Sequence, residues 1–378
     1  MAHETNSSNQ STFYFANAAA GLMWPAVAEA TIGHLRREAE IGAPSAAAEA
    51  QETLTQGYLA AAKLIGAAVN EVAFVESGNR ALAALIQSAE LQPGDHVLVD
   101  RTCWGGTLDM LASFPDAVID VMPVDANGRV DVERARRNAD PATKLILLTW
   151  CPATCGIFNP AEEVGALAAE LGAFYIVDAC QVVGQRPVDV TKLRCHGLAA
   201  SGRKWLRGPR GTALLFASSE YLQATSPFMA DQIGRPRSDA RRYETGESYV
   251  AGRVGLSVAL RTALEMGDDV IARHLCANAQ SIRDRLSDVP GLTIVEQGQD
   301  LASFITAIVA GFSAAEVAAM LARDGLSVSA PSRAYAPLDM DARGLNDVIR
   351  IAPQIFTTSA GVDKLIKGLK GLGAALPA

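Results

Sequence analysis

The sequence predicts an α/β fold with a mostly parallel, seven-stranded sheet covered by helices. Short apolar runs alternate with helical patterns through most of the first 220 residues, which is typical of consecutive strand–helix units. The runs at 144–149 and 173–178 are apolar almost throughout, as expected for parallel strands buried on both faces. The chain has 378 residues, of which 49% are hydrophobic, so it can form two domains with sizeable cores.

The first part of the chain contains the predicted sheet and the helices that cover it. The seven predicted strands cover residues 72–76, 96–100, 118–124, 144–149, 173–178, 197–201 and 212–216. Helical patterns between them cover residues 80–90, 107–114, 132–138 and 161–171. Helices that alternate with parallel strands in this way lie on both faces of the sheet.

The pattern changes near Gly255. A long helical pattern covers residues 256–286, and short strands and helices follow it. The strands are predicted at 292–296, 304–309, 327–330 and 348–351, and the helices at 314–323 and 361–373. This change predicts a large domain over residues 20–262 and a smaller α+β domain over residues 263–378. Residues 1–19 have neither a helical nor a strand pattern and are expected to pack as an N-terminal arm.

The composition argues against several classes of protein. No apolar run approaches the roughly 20 residues of a membrane-spanning helix, so we expect no membrane segment. The N-terminus is polar and lacks a signal-peptide pattern, which favours a cytoplasmic protein. The net charge of −8 argues against nucleic acid as a partner.

The cysteines are few and scattered, as is usual in the reducing cytoplasm. Cys151 and Cys155 form the only close pair in the sequence, and no second pair or histidine follows at the spacing of a zinc site. We therefore predict no metal site. The six cysteines are Cys103, Cys151, Cys155, Cys180, Cys195 and Cys276.

Candidate functional residues directly follow several predicted strands, where ligands bind in open α/β sheets. The first strand runs into Glu-Ser-Gly-Asn-Arg at 76–80, and a helix follows. Gly78 allows close backbone approach, and the free N–H groups of a helix N-terminus suit an anion. The stretch is either a phosphate-binding turn or an ordinary turn. No GxGxxG opens this region and no Gly-Lys pair occurs in the chain, which argues against dinucleotide and Walker-type sites.

Two charged residues follow later strands. Asp178 ends the fifth strand, where a carboxylate is costly unless it is paired. It either caps a loop or holds a cationic nitrogen of a ligand. Lys204 follows the sixth strand beside Trp205. It is either a surface lysine in a basic loop or a partly desolvated amine that can form a Schiff base.

Taken together, these strand ends form a pattern. Asp-Ala-x-Gln at 178–181, followed by Ser-x-x-Lys at 201–204 before a glycine-rich turn, resembles the fold-type I pyridoxal-phosphate enzymes of the class V aminotransferase family. That family includes cysteine desulfurases, isopenicillin N epimerase-like proteins and kynureninase, and the resemblance covers nearly the whole chain. It implies pyridoxal 5'-phosphate as the cofactor, which needs an amine, a carboxylate for its ring nitrogen and donors for its phosphate. It also implies a homodimer.

The resemblance implies roles for these residues. Lys204 would form the Schiff base with the cofactor and carry the proton during catalysis. Asp178 would pair with the ring nitrogen, and Gln181 would contact the ring hydroxyl. The residues expected to hold the phosphate are Ser77, Gly78, Asn79 and Ser201.

Two more residues match the family. Trp104 follows the second strand, where the family places an aromatic ring or a histidine stacked on the cofactor; a plain core tryptophan is the alternative. Arg350, in the apolar segment 348–353, matches the arginine that binds the substrate carboxylate, which suits the planar fork of a guanidinium. A structural salt bridge is the alternative for Arg350.

The chain departs from the family in two places. Many relatives carry an asparagine in the loop after the fourth strand, where this chain offers Thr154 as a rough equivalent that would contact the cofactor. Many also have Gly-Thr where this chain has Gly246-Glu247. In those relatives the threonine reaches the phosphate in the partner subunit, a contact that an acidic side chain does not suit.

The pocket, rather than the cofactor, selects the reaction. Desulfurases of this family use a cysteine on a loop before the last strands, and the matching residues 327–335 contain none. Segments 34–42, 203–211 and 246–255 are similar to the C–S lyases of ergothioneine biosynthesis, which cleave a cysteine sulfoxide conjugate of trimethylated histidine. This resemblance predicts β-elimination from a small, amino-acid-derived substrate of the hercynylcysteine sulfoxide type, with release of a sulfenate, pyruvate and ammonia.

Two alternatives remain. An aminotransferase or amino-acid epimerase would use the same Lys204 without a leaving group on Cβ. A cofactor-binding regulator or sulfur-transfer scaffold is disfavoured, because the sequence shows no helix-turn-helix extension and no basic patch.

Overall fold

A seven-stranded sheet forms the centre of the larger part of the molecule. The structure is a computed structural model that describes residues 13–227 and 237–373. Within these ranges the strands are β1 (Phe13–Tyr14), β2 (Val72–Val75), β3 (His96–Val99), β4 (Val118–Val121), β5 (Thr143–Thr149), β6 (Phe174–Asp178), β7 (Gly197–Ser201), β8 (Ala213–Ala217), β9 (Leu292–Ile294), β10 (Ile305–Val309), β11 (Leu326–Ser327) and β12 (Ile349–Ile351).

The seven-stranded sheet has the order β2-β8-β7-β6-β5-β3-β4. β8 is antiparallel to both of its neighbours, and every other pair in the sheet is parallel. The prediction of a mostly parallel, seven-stranded sheet is therefore confirmed. β6 explains the continuous apolar runs: Tyr175 and Val177 pack into the core on one face of the sheet, and Ile176 packs into the core on the other.

Helices cover both faces of this sheet. The helices of the described ranges are α1 (Pro25–Ile41), α2 (Ala43–Glu49), α3 (Gln51–Ile65), α4 (Gly78–Ser88), α5 (Gly105–Leu111), α6 (Val132–Asn138), α7 (Ala161–Leu171), α8 (Val190–Leu193), α9 (Ser219–Ala224), α10 (Val250–Met266), α11 (Asp268–Leu286), α12 (Ala314–Arg323), α13 (Pro337–Ala342) and α14 (Ser359–Gly373). Leu85 of α4 shares a core with Ile176, whereas Val164 of α7 shares a core with Tyr175. None of these helices combines the length and apolarity that crossing a membrane requires.

Two predictions about the helices were wrong or incomplete. The pattern at 256–286 predicts one long helix, but α10 and α11 are separate and meet at Gly267, whose φ of +81° is left-handed. The prediction failed because the apolar periodicity continues across this glycine. Residues 25–65, for which no elements were predicted, form α1, α2 and α3. Their many alanines give only a weak contrast between apolar and polar faces.

The C-terminal part of the chain has its own small sheet, in the order β12-β10-β9, with antiparallel pairing throughout. Its apolar core includes Ile305 and Ile349 from the sheet, together with Ile282 of α11, Val317 of α12 and Leu365 of α14. This is an α+β arrangement. The predicted domain boundaries, 20–262 and 263–378, stay a prediction.

Residues 13–24, here called the N-terminal strap, connect the two sheets. β1 pairs in parallel with β11, and Ala16 bridges Ala352 beside β12. At the other end of the strap, the N–H of Gly21 donates to the carbonyl of Arg203 at 2.8 Å, close to the end of β7. Of the predicted arm over residues 1–19, residues 1–12 lie outside the described ranges, and residues 13–14 form a strand that was not predicted.

Candidate active site

A cavity of about 620 Å³ lies at the carboxyl ends of the parallel strands. This is where ligands bind in open α/β sheets. Its walls come from the segments that follow β2, β3, β5, β6 and β7, the segment before β8, the N-terminal strap and the C-terminal part of the chain. The lining residues include Ala18–Ala20, Glu76–Asn79, Thr102, Trp104, Thr149, Cys151, Ala153, Asp178, Cys180, Gln181, Ser201, Arg203, Lys204, Arg210–Thr212, Tyr335 and Arg350.

All the predicted site residues except Thr154 line this one cavity. Thr154 is fully buried, its hydroxyl has no hydrogen-bond partner in the described ranges, and it is not part of the cavity wall. The loop after β5 instead brings Cys151 and Ala153 to the wall. The prediction that Thr154 contacts the cofactor is therefore not supported by its position.

Lys204 lies in a tight loop between β7 and β8. The N–H of Gly202 donates to the Thr212 carbonyl at 2.9 Å, and the N–H of Gly208 donates to the Gly202 carbonyl at 2.8 Å, which closes the loop. Burial lowers the pKa of the Lys204 amine, and the charges of Arg350 and Arg203 lower it further, although Cys180 and Asp178 oppose them. A depressed pKa leaves more of the amine unprotonated, so the amine can act as a nucleophile or a base near neutral pH.

Asp178 is the last residue of β6, Gln181 follows three residues later, and both line the cavity. The backbone N–H of Cys180 donates to Oδ1 of Asp178 at 2.9 Å, which fixes the carboxylate at the end of the strand. Gln181 accepts from the indole N–H of Trp205 at 2.9 Å and donates to the Ala18 carbonyl at 3.0 Å. Because these bonds use the amide oxygen and one hydrogen of the nitrogen, the second hydrogen is available to an acceptor in the cavity.

The turn after β2 leads directly into α4. The hydroxyl of Ser77 caps the helix by accepting from the Arg80 N–H at 3.1 Å. A Cβ atom on Gly78 would lie 2.3 Å from Sγ of Cys180 and 3.0 Å from Oγ of Ser201, so only glycine fits there. This close approach brings the N-terminus of α4 and the Ser201 hydroxyl together, an arrangement that suits a phosphate.

Trp104 and Tyr335 form an aromatic wall of the cavity. Their ring centroids are 4.8 Å apart with the planes at 90°. The backbone N–H of Trp104 donates to Oγ1 of Thr149 at 3.2 Å, whereas its indole N–H is buried and has no partner in the described ranges. A buried donor without a partner is costly, so this N–H indicates a place where a ligand supplies the acceptor.

Arg350 is a buried cation on β12, with 2% of its surface exposed. It donates to the Ala153 carbonyl at 2.9 Å and to the Ser329 hydroxyl at 3.2 Å. No carboxylate of the described ranges lies within 4 Å of its guanidinium, so the alternative of a structural salt bridge has no partner there. Burial lowers the pKa of Arg350 to about 10. A cation buried in this way binds an anionic ligand favourably.

A second carboxylate, Asp100, lies beneath the cavity and is fully buried. It accepts from the backbone N–H of Thr149 at 2.6 Å and from the hydroxyl of Thr102. Asn159 adds hydrogen bonds to the Thr102 hydroxyl at 3.1 Å and to the Thr149 carbonyl at 2.8 Å. Burial raises the pKa of Asp100 to about 7. This network fixes two residues of the cavity wall.

Cys151 and Cys180 line the cavity, but neither is a reactive thiolate. Both are buried, and burial raises the pKa of Cys180 to about 12 and that of Cys151 well above its usual range. The thiolate is the nucleophilic form of cysteine, so these two thiols are inert at neutral pH. The stretch 327–335, where the family's desulfurases carry their cysteine, instead brings Tyr335 to the wall.

The wall also contains residues that were not predicted as site residues. The main ones are Arg203, Arg210, Glu76, Tyr335 and the strap residues Ala18–Ala20. The position of Arg203 beside Lys204 was a usable signal. Tyr335 and the strap gave none, because they reach the cavity only through contacts between distant parts of the chain.

These residues fit pyridoxal phosphate. Lys204 offers the amine, Asp178 the carboxylate for a ring nitrogen, and the turn at 77–79 the donors for a phosphate. The unpartnered indole N–H of Trp104 adds a donor that the protein itself leaves unused. The geometry therefore meets each requirement of the predicted cofactor.

The sequence is similar to those of known proteins. The family model described as aminotransferase class-V matches residues 13–365. A probable hercynylcysteine sulfoxide lyase from Mycobacterium tuberculosis is 31% identical over 360 residues, which cover 93% of this chain and 87% of that protein. A probable cysteine desulfurase from Halalkalibacterium halodurans is 26% identical over 336 residues, which cover 84% of this chain and 82% of that protein.

The fold also matches solved structures. A C-DES variant with glycine covalently linked to its pyridoxal-phosphate cofactor has a TM-score of 0.85 and 18% sequence identity. The match covers 96% of this chain and 97% of that chain.

Proposed function

Because the chain belongs to the class V aminotransferase family and uses pyridoxal 5'-phosphate, we propose that it cleaves a cysteine sulfoxide conjugate by β-elimination. The chain is a pyridoxal-phosphate-dependent carbon–sulfur lyase; the proposal concerns the bond that is broken and the molecule that carries it. The substrate class is a small amino-acid derivative of the hercynylcysteine sulfoxide type, which would place the enzyme in ergothioneine biosynthesis.

One observation carries the proposal. The cavity combines a base, a carboxylate for the ring nitrogen and a carboxylate-binding arginine in Lys204, Asp178 and Arg350, but it has no reactive cysteine. Elimination needs the first three groups and no sulfur nucleophile. A persulfide-forming desulfurase needs a thiolate, and the two cavity thiols are protonated.

Arg350, Lys204 and Asp178 have separate roles in the proposed reaction. Arg350 binds the α-carboxylate and so fixes the orientation of the Cα–H bond. Lys204 accepts the Cα proton at Nζ, and its lowered pKa leaves more of the amine unprotonated and ready to accept it. Asp178 keeps a proton on the ring nitrogen. Pyridoxal phosphate, when bound, supplies the electron sink that makes the Cα proton acidic.

The leaving group completes the reaction. As the Cα proton leaves, the Cβ–S bond breaks and its electron pair departs with the sulfur as a sulfenate. The remaining 2-aminoacrylate takes up water and gives pyruvate and ammonia. A sulfenate is a weaker base than a thiolate, so sulfoxides should react faster than the corresponding thioethers. Each 1.4 kcal/mol of advantage in the barrier is about tenfold in rate.

The test is product analysis with the purified holoenzyme and a panel of cysteine conjugates and their sulfoxides. We expect pyruvate and ammonia in equal amounts without any added 2-oxo acid, and faster release from sulfoxides than from thioethers. A Lys204→Ala variant is the control and should release no pyruvate. Alanine should at most exchange its Cα proton.

The same assay separates the other reactions. A new amino acid that appears only when a 2-oxo acid is added would overturn the proposal in favour of an aminotransferase. A change of configuration without loss of sulfur would indicate an epimerase. Alanine and sulfide formed from cysteine would indicate a desulfurase, the activity named for the Halalkalibacterium halodurans relative.

Assembly and location complete the proposal. A homodimer is supported by apolar side chains that α1 leaves exposed, because Ile32 and Leu35 are three residues apart and lie on one helix face. A cytoplasmic location is supported by the six cysteines, which lie within the described ranges and are all free thiols.

A further inference from the structure

Two separate parts of the chain hold Arg350 in place. Its strand, β12, pairs with β10, where Thr306 lies directly opposite Arg350. Its guanidinium reaches the loop after β5, where Nη1 donates to the Ala153 carbonyl at 2.9 Å. The direction of this side chain therefore depends on how β10 and the loop are placed relative to each other.

Glu296 contacts both of these parts. The residue follows β9, and only 4% of its surface is exposed. Its Oε2 accepts from the Thr306 N–H at 3.0 Å and also from the Thr306 hydroxyl. The same oxygen accepts from the N–H of Gly156 at 3.4 Å, three residues beyond Ala153 in the loop. One carboxylate oxygen thus joins the strand opposite Arg350 to the loop that receives its guanidinium.

Thr306 and Arg350 lie on the same face of the small sheet, because residues directly opposite each other in an antiparallel pair point to one side. Their neighbours Ile305 and Ile349 pack into the C-terminal core on the other face. Arg350 lines the cavity, so the Thr306 hydroxyl that binds Glu296 lies on the face of the sheet that points toward the cavity.

The loop lies tightly against the segment between Glu296 and β10. The Gly156 carbonyl accepts from the Ala302 N–H at 2.8 Å, and a Cβ atom on Gly156 would lie 2.8 Å from the Phe304 carbonyl oxygen. Nη2 of Arg283 donates to the same Phe304 carbonyl at 2.7 Å and lies 3.6 Å from Oε1 of Glu296. Arg283 is therefore the counterion of this carboxylate and a further support of the segment.

A carboxylate in this place is costly for stability. Burial raises the pKa of Glu296, although its hydrogen bond from Thr306 and the charge of Arg283 oppose this. Buried ion pairs are often no more stabilising than apolar side chains of similar volume. What Glu296 adds is an acceptor that holds donors from two parts of the chain at once, which an apolar side chain lacks.

We propose that Glu296 is a positioning residue that fixes the direction of Arg350 toward the substrate carboxylate. The inference rests on the proposed function, in which Arg350 binds the α-carboxylate. Among the described residues, Glu296 is not part of the cavity wall, so it acts on binding through Thr306, Gly156 and Arg350. Without the carboxylate, the loop and β10 are no longer joined, and Arg350 loses the fixed direction that two parallel hydrogen bonds to a carboxylate require.

The experiment compares two probes that differ in the carboxylate, alanine and alaninamide. Neither carries a leaving group on Cβ, so their binding to the holoenzyme can be followed by the change in cofactor absorbance without elimination. The proteins are the natural enzyme, Glu296→Leu and Glu296→Gln. The leucine variant fills the space without an acceptor, whereas the glutamine variant keeps a neutral acceptor oxygen.

Glu71→Gln is the matched control. Glu71 accepts from the Ser219 N–H at 2.7 Å and from the Ser219 hydroxyl at 2.8 Å, the same kind of contact that Glu296 makes with Thr306. It directly precedes β2 and so lies at the end of that strand away from the cavity.

The natural enzyme should bind alanine at least about tenfold more tightly than alaninamide, as expected for hydrogen bonds between charged groups. Glu296→Leu should reduce this preference to less than about twofold and leave the alaninamide affinity within about threefold of its original value. Glu296→Gln should retain a preference of about twofold to fivefold, because a neutral oxygen accepts more weakly than a charged one. Glu71→Gln should keep the full preference. If Glu296→Leu does not fold, Glu296→Gln decides the test.

The proposal fails if the natural enzyme shows no preference for alanine, or if either Glu296 variant keeps the full preference. Equal weakening of both probes, or the same loss in Glu71→Gln, would assign Glu296 a general structural role instead. Pyruvate release from the sulfoxide tests the proposed function separately. A preference that is lost in Glu296→Leu, without pyruvate from the natural enzyme, would reject elimination and keep the positioning role. Pyruvate release together with a full preference in the variants would reject the positioning role alone.

Discussion

Arg350 illustrates what a single residue can reveal. It is buried and charged, and it has no carboxylate partner in the described ranges. Because an unpaired buried charge is costly, this arrangement favours a guanidinium that binds an anionic ligand. Its place among apolar residues in the sequence was a local signal. Asp178 ends an apolar strand and Lys204 follows one, which made both residues candidates, and the resemblance to the family then implied their roles. Thr154 had no such signal, and its hydroxyl lies in the core rather than on the wall.

Replacing Arg350 by lysine tests its role. Arg350→Lys keeps the positive charge but loses the planar fork, so the substrate carboxylate should bind more weakly. We expect KM to rise by about tenfold or more, because hydrogen bonds to a charged group contribute about 1.5–3 kcal/mol. Cofactor absorbance should stay normal. Steady-state kinetics and an absorbance spectrum check this, and an unchanged KM would leave Arg350 with only a structural role.

At the scale of elements, the strap and the Lys204 loop depend on each other. A Cβ atom on Gly21 would lie 2.4 Å from the carbonyl oxygen of Lys204 and 3.0 Å from Cγ of Arg207. The strap can therefore lie against the loop only with glycine at this position. Neither segment shows this dependence in its own sequence, which explains why the strap was expected only as an arm.

Gly21→Ala should disrupt the contact between the N-terminal strap and the Lys204 loop. Because the new methyl group meets backbone, we expect the free energy of unfolding to fall by about 1–3 kcal/mol. Gly33→Ala is the matched control, since Gly33 lies within α1 and nothing lies within 4 Å of its added Cβ. That variant should be neutral or more stable by up to about 1 kcal/mol. Urea unfolding of both variants measures the difference, and equal stabilities would contradict the close contact.

Hydrophobic periodicity predicted many of the helices and strands correctly, but it gave one wrong helix. The seven strands of the large sheet and the helices α4 to α7 were predicted because apolar runs and helical patterns alternate cleanly there and are bounded by turn residues. The single helix predicted at 256–286 failed at Gly267, whose left-handed backbone is visible only in the structure. A glycine inside a helical pattern is compatible with both a continuous helix and a break, and the packing of α10 and α11 decides between them.

At the scale of the whole molecule, Asp100 links stability to pH. Its pKa is raised to about 7 in the folded protein, so the folded state binds more protons than the unfolded state between about pH 4 and pH 7. The contribution of Asp100 to stability is therefore fully present below about pH 4 and is lost as the pH rises toward 7.

Asp100→Asn should remove this dependence. Asparagine can still accept the Thr149 N–H but does not ionise. Relative to the variant, the natural protein should lose about 2–3 kcal/mol of unfolding free energy between pH 5 and pH 8, at about 1.36 kcal/mol for each pKa unit. Urea titrations at several pH values measure this. The exposed Asp116→Asn is the control and should leave the slope unchanged; the same slope in Asp100→Asn would contradict the assignment.

The N-terminal strap has a consequence for the order in which the molecule folds. Its first described strand pairs with residues 326–327, and Ala16 bridges Ala352, so the strap joins residues more than 300 positions apart. Closing so long a loop costs conformational entropy, and contacts of high sequence separation form slowly. During synthesis, the strap leaves the ribosome first but cannot pair until residue 352 has followed. The cavity therefore gains its last wall only after nearly the whole chain has been made.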